Sequence, residues 1–330
     1  MKVGILGDLH FRDDTPSGRV ETDYLAFQMG LASSIIEALK KEGCEAVLLP
    51  GDIINKRRSS NRVVKSVIRL IRDSGMQWFT TVGQHDVLGK ASSTYREDSD
   101  IGLIEEALEG QLKVLIQGEA ASFNGMTVRG FANEDQELAD FLRGGDSAQA
   151  PRTKTYNVAL LHAAVSDRDN GFTVHIDSVP ANGYDLQVHG DIHTSFDPVE
   201  KDDCVFINAG ILTWQNWFEA SECRCAGYAI VDTDSGECVR KRRVHPKKDE
   251  VFYDAAVEAP EDSGAIDETL NAIMDARQAY GQIDDSKTLE EVFETVLKDT
   301  PEGEVAVLKA GFKTARELMK KVEEARSDSK

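Results

Sequence analysis

Apolar positions along the chain change period in a way that separates two kinds of element. Residues 2–7 (KVGILG) form a continuous apolar run, as in a strand buried on both faces. Residues 24–41 then repeat apolar positions at helical spacing, and 46–49 is a second buried run. Val63, Val67, Leu70 and Ile71 mark another amphipathic helix, and 77–82 (QWFTTV) a third strand. The N-terminal third therefore predicts β-α-β-α-β, which is α/β layering.

From 113 to 131 the pattern shifts to short strands around Asn124-Gly125, a dipeptide that accepts positive φ and so closes a tight hairpin. Antiparallel pairing is expected there. Further strands are predicted at 156–161, 185–188, 204–208, 227–232 and 238–244, with Asp234-Ser235-Gly236 as the last turn. Polar, proline-containing residues 246–264 then separate a body of residues 1–245 from a C-terminal region, 246–330, whose remaining pattern is helical. There Leu308, Phe312, Ala315, Met319 and Val322 share one helix face, which predicts a helix packed on its own domain or docked on a partner.

Composition narrows the class. At 330 residues with 41% hydrophobic and 29% charged side chains, the chain can bury one large core plus a small appendage. Acidic residues outnumber basic ones 58 to 38, a net charge of −20, and residues 249–330 alone hold 21 acidic against 10 basic. Bulk charge of this sign argues against coating nucleic acid, yet a local patch or bound cations could still grip phosphate. The five cysteines are odd in number and scattered, so neither a disulfide framework nor a zinc ribbon is expected, and a reducing cytoplasm suits them. No run approaches the roughly 18 apolar residues of a membrane span, and MKVGILGDLH lacks signal-peptide organisation. No membrane association is predicted.

The chemistry lies where polar residues interrupt the strands. Asp8-Leu9-His10 follows the first strand, Gly51-Asp52 the second, and Gly83-Gln84-His85-Asp86 the third. His162 ends the strand YNVALL, and Gly190-Asp191-Ile192-His193 ends DLQV. Alone, an Asp-x-His is as easily a helix cap beside a packed histidine. Five such motifs in order, at strand ends where open α/β sheets place their ligands, point to one functional rim.

This order of motifs resembles the calcineurin-like metallophosphoesterase superfamily over about residues 1–245, with Asp-x-His, Gly-Asp, a Gly-Asn-His-Asp-like segment, a lone His and a Gly-His-x-His-like segment. Within it the arrangement is most similar to the nuclease subunit of SbcCD-type DNA repair complexes, especially phage-type relatives. Residues 205–210 (VFINAG) and the strand GYAIVD add to that likeness. The resemblance implies a four-layer α/β/β/α sandwich with a small, mainly helical C-terminal appendage. It also implies two divalent cations, one held by Asp8, His10, Asp52 and His193, the other by Asp52, Gln84, His162 and Asp191. Asp52 would bridge them, and the pair would activate a shared water for in-line attack on phosphorus. His85 would act as proton donor to the leaving oxygen, with Asp86 orienting its ring. Asn55 is expected to support the site or cap a helix.

Two positions depart from the family pattern. Gln84 stands where Asn is usual, and Asp191 where the first His of Gly-His-x-His is usual. Both changes enrich one site in oxygen, which favours Mn²⁺, then Mg²⁺, over Zn²⁺. Asp191 could instead only hydrogen-bond another ligand.

Residues around the rim must supply specificity. Lys56-Arg57-Arg58, with Arg62 and Lys65, follow the second motif, and Arg240-Lys241-Arg242-Arg243 lie on the last predicted strand. Arg57, Arg58 and Arg62 are candidate contacts to a DNA backbone, although a solvated charged face would look the same. Trp214, Trp217 and Phe218 could stack on bases or pack in a core. The leading expectation is a Mn²⁺-dependent DNA exonuclease or endonuclease, with an SbcC-like coiled-coil ATPase and a homodimer as partners that the resemblance implies. The alternatives are a stand-alone phosphodiesterase or phosphatase for small nucleotides, and a catalytically weak binding subunit of a repair complex.

Overall fold

The structure is a computed structural model that describes residues 1–242 apart from 17, 88–91, 134, 152–153, 169–172, 217–218 and 221–226. In chain order its elements are β1 (Lys2–Ile5), α1 (Tyr24–Lys41), β2 (Cys44–Leu49), α2 (Asn61–Ser74), β3 (Gln77–Thr80), α3 (Tyr95–Asp98), α4 (Asp100–Ala107), β4 (Leu112–Val114), β5 (Ala120–Phe123) and β6 (Met126–Phe131). They continue with α5 (Gln136–Leu142), β7 (Tyr156–His162), β8 (Val165–Ser166), β9 (Val174–His175), β10 (Leu186–Gly190), β11 (Phe196–Lys201), β12 (Cys204–Asn208), β13 (Gly227–Asp232) and β14 (Cys238–Arg242).

Two six-stranded sheets organise the chain, in the orders β14-β13-β1-β2-β3-β4 and β11-β12-β10-β7-β6-β5. The centre of the first is parallel, from β1 through β4, and β13 and β14 close it antiparallel. The centre of the second is parallel too, from β6 through β7 and β10 to β12. Antiparallel pairing near Asn124-Gly125 is confined to β5 and β6, with φ of 43° and 83° at the two turn residues. The expected antiparallel neighbourhood is corrected beyond that hairpin, because β6 and β4 each find a parallel partner remote in sequence or across α3 and α4.

Side-chain alternation explains the layering. On β2, Ala46 and Leu48 enter the apolar layer between the sheets, where they meet Val158 and Leu160 of β7 and Val188 of β10. Val47 and Leu49 point the other way, to Ile35, Ile36 and Leu39 of α1, Val63, Val67 and Ile71 of α2 and Ile104 of α4. On β7, Ala159 and Leu161 face outward to Leu138 and Phe141 of α5. Strands buried on both faces read as continuous apolar runs for this reason. The result is a mixed α/β, four-layer α/β/β/α sandwich.

The helices start and stop on local signals. Asp23 accepts from Ala26 N–H at the start of α1 and Ser60 from Val63 N–H at the start of α2, while Gly75, at φ 67°, ends α2. Asn55 is not the N-cap of α2, since Ser60 holds that position. Region 246–330, with the proposed docking helix, lies outside the described residues, and no described helix is long and apolar enough to cross a membrane.

Residues 208–212 fasten the two sheets at the rim. Asn208 donates to Ile192 O (2.8 Å) and accepts from Gly210 N–H (2.7 Å), while Ile211 N–H bonds His193 O and Leu212 N–H bonds Asp8 O. The loop passes so close that a Cβ on Gly7 would sit 1.6 Å from Gly210 O, a backbone atom. Gly7→Ala should therefore lower stability by about 3 kcal/mol, the upper part of the usual overpacking range, as read from the urea midpoint. An unchanged midpoint would show that the two loops can separate freely.

Candidate metal centre

The C-terminal ends of β1, β2, β3, β7 and β10 converge at this rim. Leu9 and His10 N–H both donate to Asp52 O (3.0 and 2.9 Å), and Phe11 N–H to Ile53 O, so the loops after β1 and β2 are zipped together. In the second sheet Gly190 is in register with His162, which sets Asp191 next to the imidazole. His10, Asp52 and Asp191 adopt φ of 46°, 47° and 76°. Left-handed backbone at three non-glycine residues costs about 1–3 kcal/mol each and is characteristic of functional sites.

Three groupings of side chains result. Ligand atoms of Asp8, His10 and His193 lie within 4.8 Å of one another, as do those of His10, Asp52 and His85. His10 Nε2 and His193 Nε2 face each other at 3.1 Å. On the other side of Asp52, His162 Nε2 lies 2.6 Å from Gln84 Oε1 and 3.9 Å from Asp191 Oδ1, and Gln84 Nε2 donates to Asp191 Oδ1 (2.8 Å). Asp52 Oδ2 joins the groups, 3.5 Å from His10 Nε2 and 3.4 Å from His162 Nε2. All seven proposed ligands are thus brought together, Gln84 and Asp191 in direct contact.

Backbone and carboxylate partners set the histidine tautomers. His162 Nδ1 donates to Pro50 O (2.8 Å), leaving Nε2 towards the cluster. His193 Nδ1 is bonded to Glu219 Oε1 (2.8 Å). His85 Nδ1 donates to Asn55 O (3.1 Å), its N–H donates to Asp52 Oδ1 (3.0 Å), and its ring stands edge-on to His10 at 4.8 Å. Asp86 does not orient that ring, which corrects the role expected for it. Its two oxygens, fully buried, accept from Gly83 N–H (3.0 Å) and Ile54 N–H (3.1 Å), so it holds the loop that carries Gln84 and His85.

Charge is crowded here. Burial pushes the Asp8 carboxyl up to about 7 against the pull of His162, and the Asp52 charge adds to the rise. Burial works against ionisation of Asp52 also, but His162 and His10 hold its carboxyl below the usual carboxylate range. Burial lowers His10 well below an ordinary imidazole. For His193 burial acts the same way, yet the hydrogen bond that it donates to the Glu219 carboxylate lifts it to about 9. Asp8 Oδ1 and Asp52 Oδ2 are buried with no hydrogen-bond partner among the described residues. Buried oxygens without a hydrogen-bond donor are costly, and divalent cations are groups that fit two such carboxylates. Glycines make room for the cluster: a Cβ on Gly83 would meet Asp52 Oδ1 at 2.0 Å, and one on Gly190 would meet Asp8 Oδ1 at 2.7 Å.

Outside the cluster the expectations fare differently. Arg57, Arg58 and Arg62 each spend the guanidinium on an acid: Arg57 on Asp98 (3.7 Å), Arg58 on Asp100 (3.1 Å) and Arg62 on Asp23. Arg240 does not form a displayed basic patch, since it is buried and paired with Asp197 (2.9 Å). Trp214 is buried, with its carbonyl accepting from Tyr24 Oη, while Trp217, Phe218 and Arg243 lie outside the described residues. Two neighbours of the cluster were not among the sequence candidates. Glu219 follows Trp214 at a spacing that signals nothing; Asn133, which donates to Gln84 Oε1 (3.4 Å), follows the apolar end of β6 and shows the same strand-end signal as the other five.

Two sheets packed face to face, with clustered aspartates and histidines at the ends of their parallel strands, define a metal-dependent phosphoesterase. The model of the calcineurin-like phosphoesterases matches residues 1–195, and the chain belongs to that family. Its members typically bind two divalent metals. Two solved structures are similar in outline. One is a dimetal phosphatase from Danio rerio, at 11% identity over 75% of this chain and 97% of that one, with a TM-score of 0.46. The other is the NAD nucleotidase NadN of Haemophilus influenzae, at 12% identity over 73% of this chain, with a TM-score of 0.41. This chain spans 49% of the length of the nucleotidase. No curated protein matches the chain.

Proposed function

We propose that the protein is a dinuclear-metal phosphodiesterase that cleaves DNA, similar to the nuclease subunit of SbcCD-type complexes. The observation that carries the two-cation reading is the position of Asp52 Oδ2, which has no hydrogen-bond donor yet lies within 3.5 Å of histidine nitrogens on both sides. Asp8, His10, Asp52 and His193 would hold one cation, and Asp52, Gln84, His162 and Asp191 the other. The cations would make water nucleophilic at neutral pH and offset charge growing on the phosphate oxygens.

This chain's residues do the rest. His85 keeps its Nδ1 proton on Asn55 O, so Nε2 is the atom that carries a proton to the leaving oxygen. Asp86 keeps the His85 loop in place through Gly83 and Ile54. The oxygen-rich set of Gln84, Asp191 and Asp52 supports Mn²⁺ over Zn²⁺.

DNA as substrate is supported by the likeness of residues 205–210 and the strand GYAIVD to SbcD-type nucleases, and by Lys56, Arg57, Arg58 and Arg62, which follow the second motif. The Arg62–Asp23 pair does not forbid this role, because both partners are exposed and such pairs are worth about 0–1 kcal/mol and can exchange for phosphate, whereas Arg58 is tied to the buried Asp100. A coiled-coil ATPase of SbcC type is the proposed partner, and the cytoplasm the proposed setting.

The test is cleavage of end-labelled single- and double-stranded DNA, and of bis(p-nitrophenyl) phosphate, by metal-stripped protein with Mn²⁺, Mg²⁺ or Zn²⁺ added. Manganese-dependent DNA cleavage that falls roughly tenfold in an Arg57→Ala, Arg58→Ala double variant is expected, as for the loss of two phosphate contacts. Hydrolysis of the small diester with every DNA left intact would move the assignment to small nucleotides. Silence on both would favour a binding subunit.

A further inference from the structure

Glu219 lies beyond the segment that the family model covers, on the stretch that follows β12. Its Oε1 is 2.8 Å from His193 Nδ1, and its Oε2 accepts from Gln215 N–H at 2.6 Å. Its own N–H donates to Asn216 Oδ1 (2.8 Å), and its side chain is only 13% exposed. Gln215 is tied in turn to the loop after β1, since Arg12 Nη1 donates to Gln215 Oε1 (3.2 Å). A continuous chain of contacts therefore runs from the loop bearing Asp8 and His10, through Gln215 and Glu219, to the ring of His193.

A histidine offers a lone pair at one nitrogen only when its remaining proton sits on the other. At His162 a backbone carbonyl meets that need. His193 follows Asp191 on a loop, and its Nδ1 is met by Glu219 alone among the described residues. We propose that Glu219 is a positioning residue for one of the two cation sites, holding the His193 ring so that Nε2 faces His10 and Asp8. The inference rests on the two-cation reading. A carboxylate behind a metal-bound imidazole fixes its tautomer and orientation and raises its basicity, and loss of such a partner typically costs 10–100-fold in metal affinity.

Titration of metal-stripped protein with Mn²⁺, followed by calorimetry, tests it, with Glu219→Ala and the isosteric Glu219→Gln beside the parent. In Glu219→Ala one of two ions should bind about 10–100-fold more weakly and the other should change by less than about threefold, with Glu219→Gln between parent and alanine. Thermal midpoints of the stripped proteins check folding, and Glu219→Gln, equal in volume, carries the test if the alanine variant is unstable. Parent-like affinity for both ions in folded variants, or equal weakening of both, would overturn the positioning role. A parent that itself binds fewer than two ions would instead overturn the two-cation reading, so the two failures are distinguishable.

Discussion

His85→Ala is expected to lose about 100- to 10,000-fold in kcat, the usual worth of a general acid, while still binding both cations. The side chain is held from three directions: Nδ1 by Asn55 O, the backbone N–H by Asp52 Oδ1, and the ring edge by His10. Such a ring needs no reorganisation before it donates a proton. Alanine would keep the N–H bond to Asp52 and remove only the imidazole. The informative control is a substrate with a good leaving group. A p-nitrophenolate needs little protonation, so the loss on bis(p-nitrophenyl) phosphate should be much smaller than the loss on DNA. Equal losses on both substrates would assign His85 to binding or to metal ligation rather than to proton transfer. The grouping of His85 with His10 and Asp52 within 4.8 Å makes metal analysis of the variant part of the same experiment.

Asp52→Asn should have the broadest effect of any single substitution. Asparagine preserves the volume and an oxygen for His85 N–H, and removes the charge that lies between His10 and His162. If the carboxylate is shared as proposed, each cation would lose an anionic ligand, so affinity for both should fall by more than the roughly 100-fold upper range seen for residues that only support a ligand. Hydrolysis should drop to background. Elemental analysis after gel filtration, with the parent retaining two ions, provides the measurement. Retention of two ions by Asp52→Asn would show that the carboxylate is not shared and that the sites are independent. A variant that keeps one ion would assign Asp52 to the other site alone.

Much of the sandwich was readable in the chain because its central strands are buried on both faces. VGIL, AVLL and VALL, at 3–6, 46–49 and 158–161, are free of polar side chains, and the polar residues that follow each run had to lie at a rim. Polar or short elements escaped. Phe196–Lys201, with a proline and one buried residue, is an edge strand and carries no strand-like run. Asp100–Ala107 and Gln136–Leu142 form two turns of helix each, too short for a period to stand out. Parallel pairing of β6 with β7 depends on a partner about 30 residues away and on the crossover between them, which local patterns do not encode.

The same division runs through the site. Side-chain type and order named Asp8, His10, Asp52, Gln84, His85, His162, Asp191 and His193 as a group, since only a shared rim explains five polar strand ends in succession. Which nitrogen faces the cluster, and what holds each ring, depended on Pro50, Asn55 and Glu219, two of them acting through backbone carbonyls that have no sequence signature. Asp86 shows the limit most clearly. Its place beside His85 suggested a partner for that ring, but strand-end geometry turns its carboxylate to Gly83 and Ile54 N–H instead. The arginines near Asp52 are another case: their acidic partners Asp98, Asp100 and Asp23 stand about 40 residues away in the chain. Hydrophobic burial is a property of single residues and their period, so the chain carries it openly. Hydrogen bonds and ion pairs depend on angstrom-scale approach between distant segments, so only the folded arrangement of the two sheets assigns them.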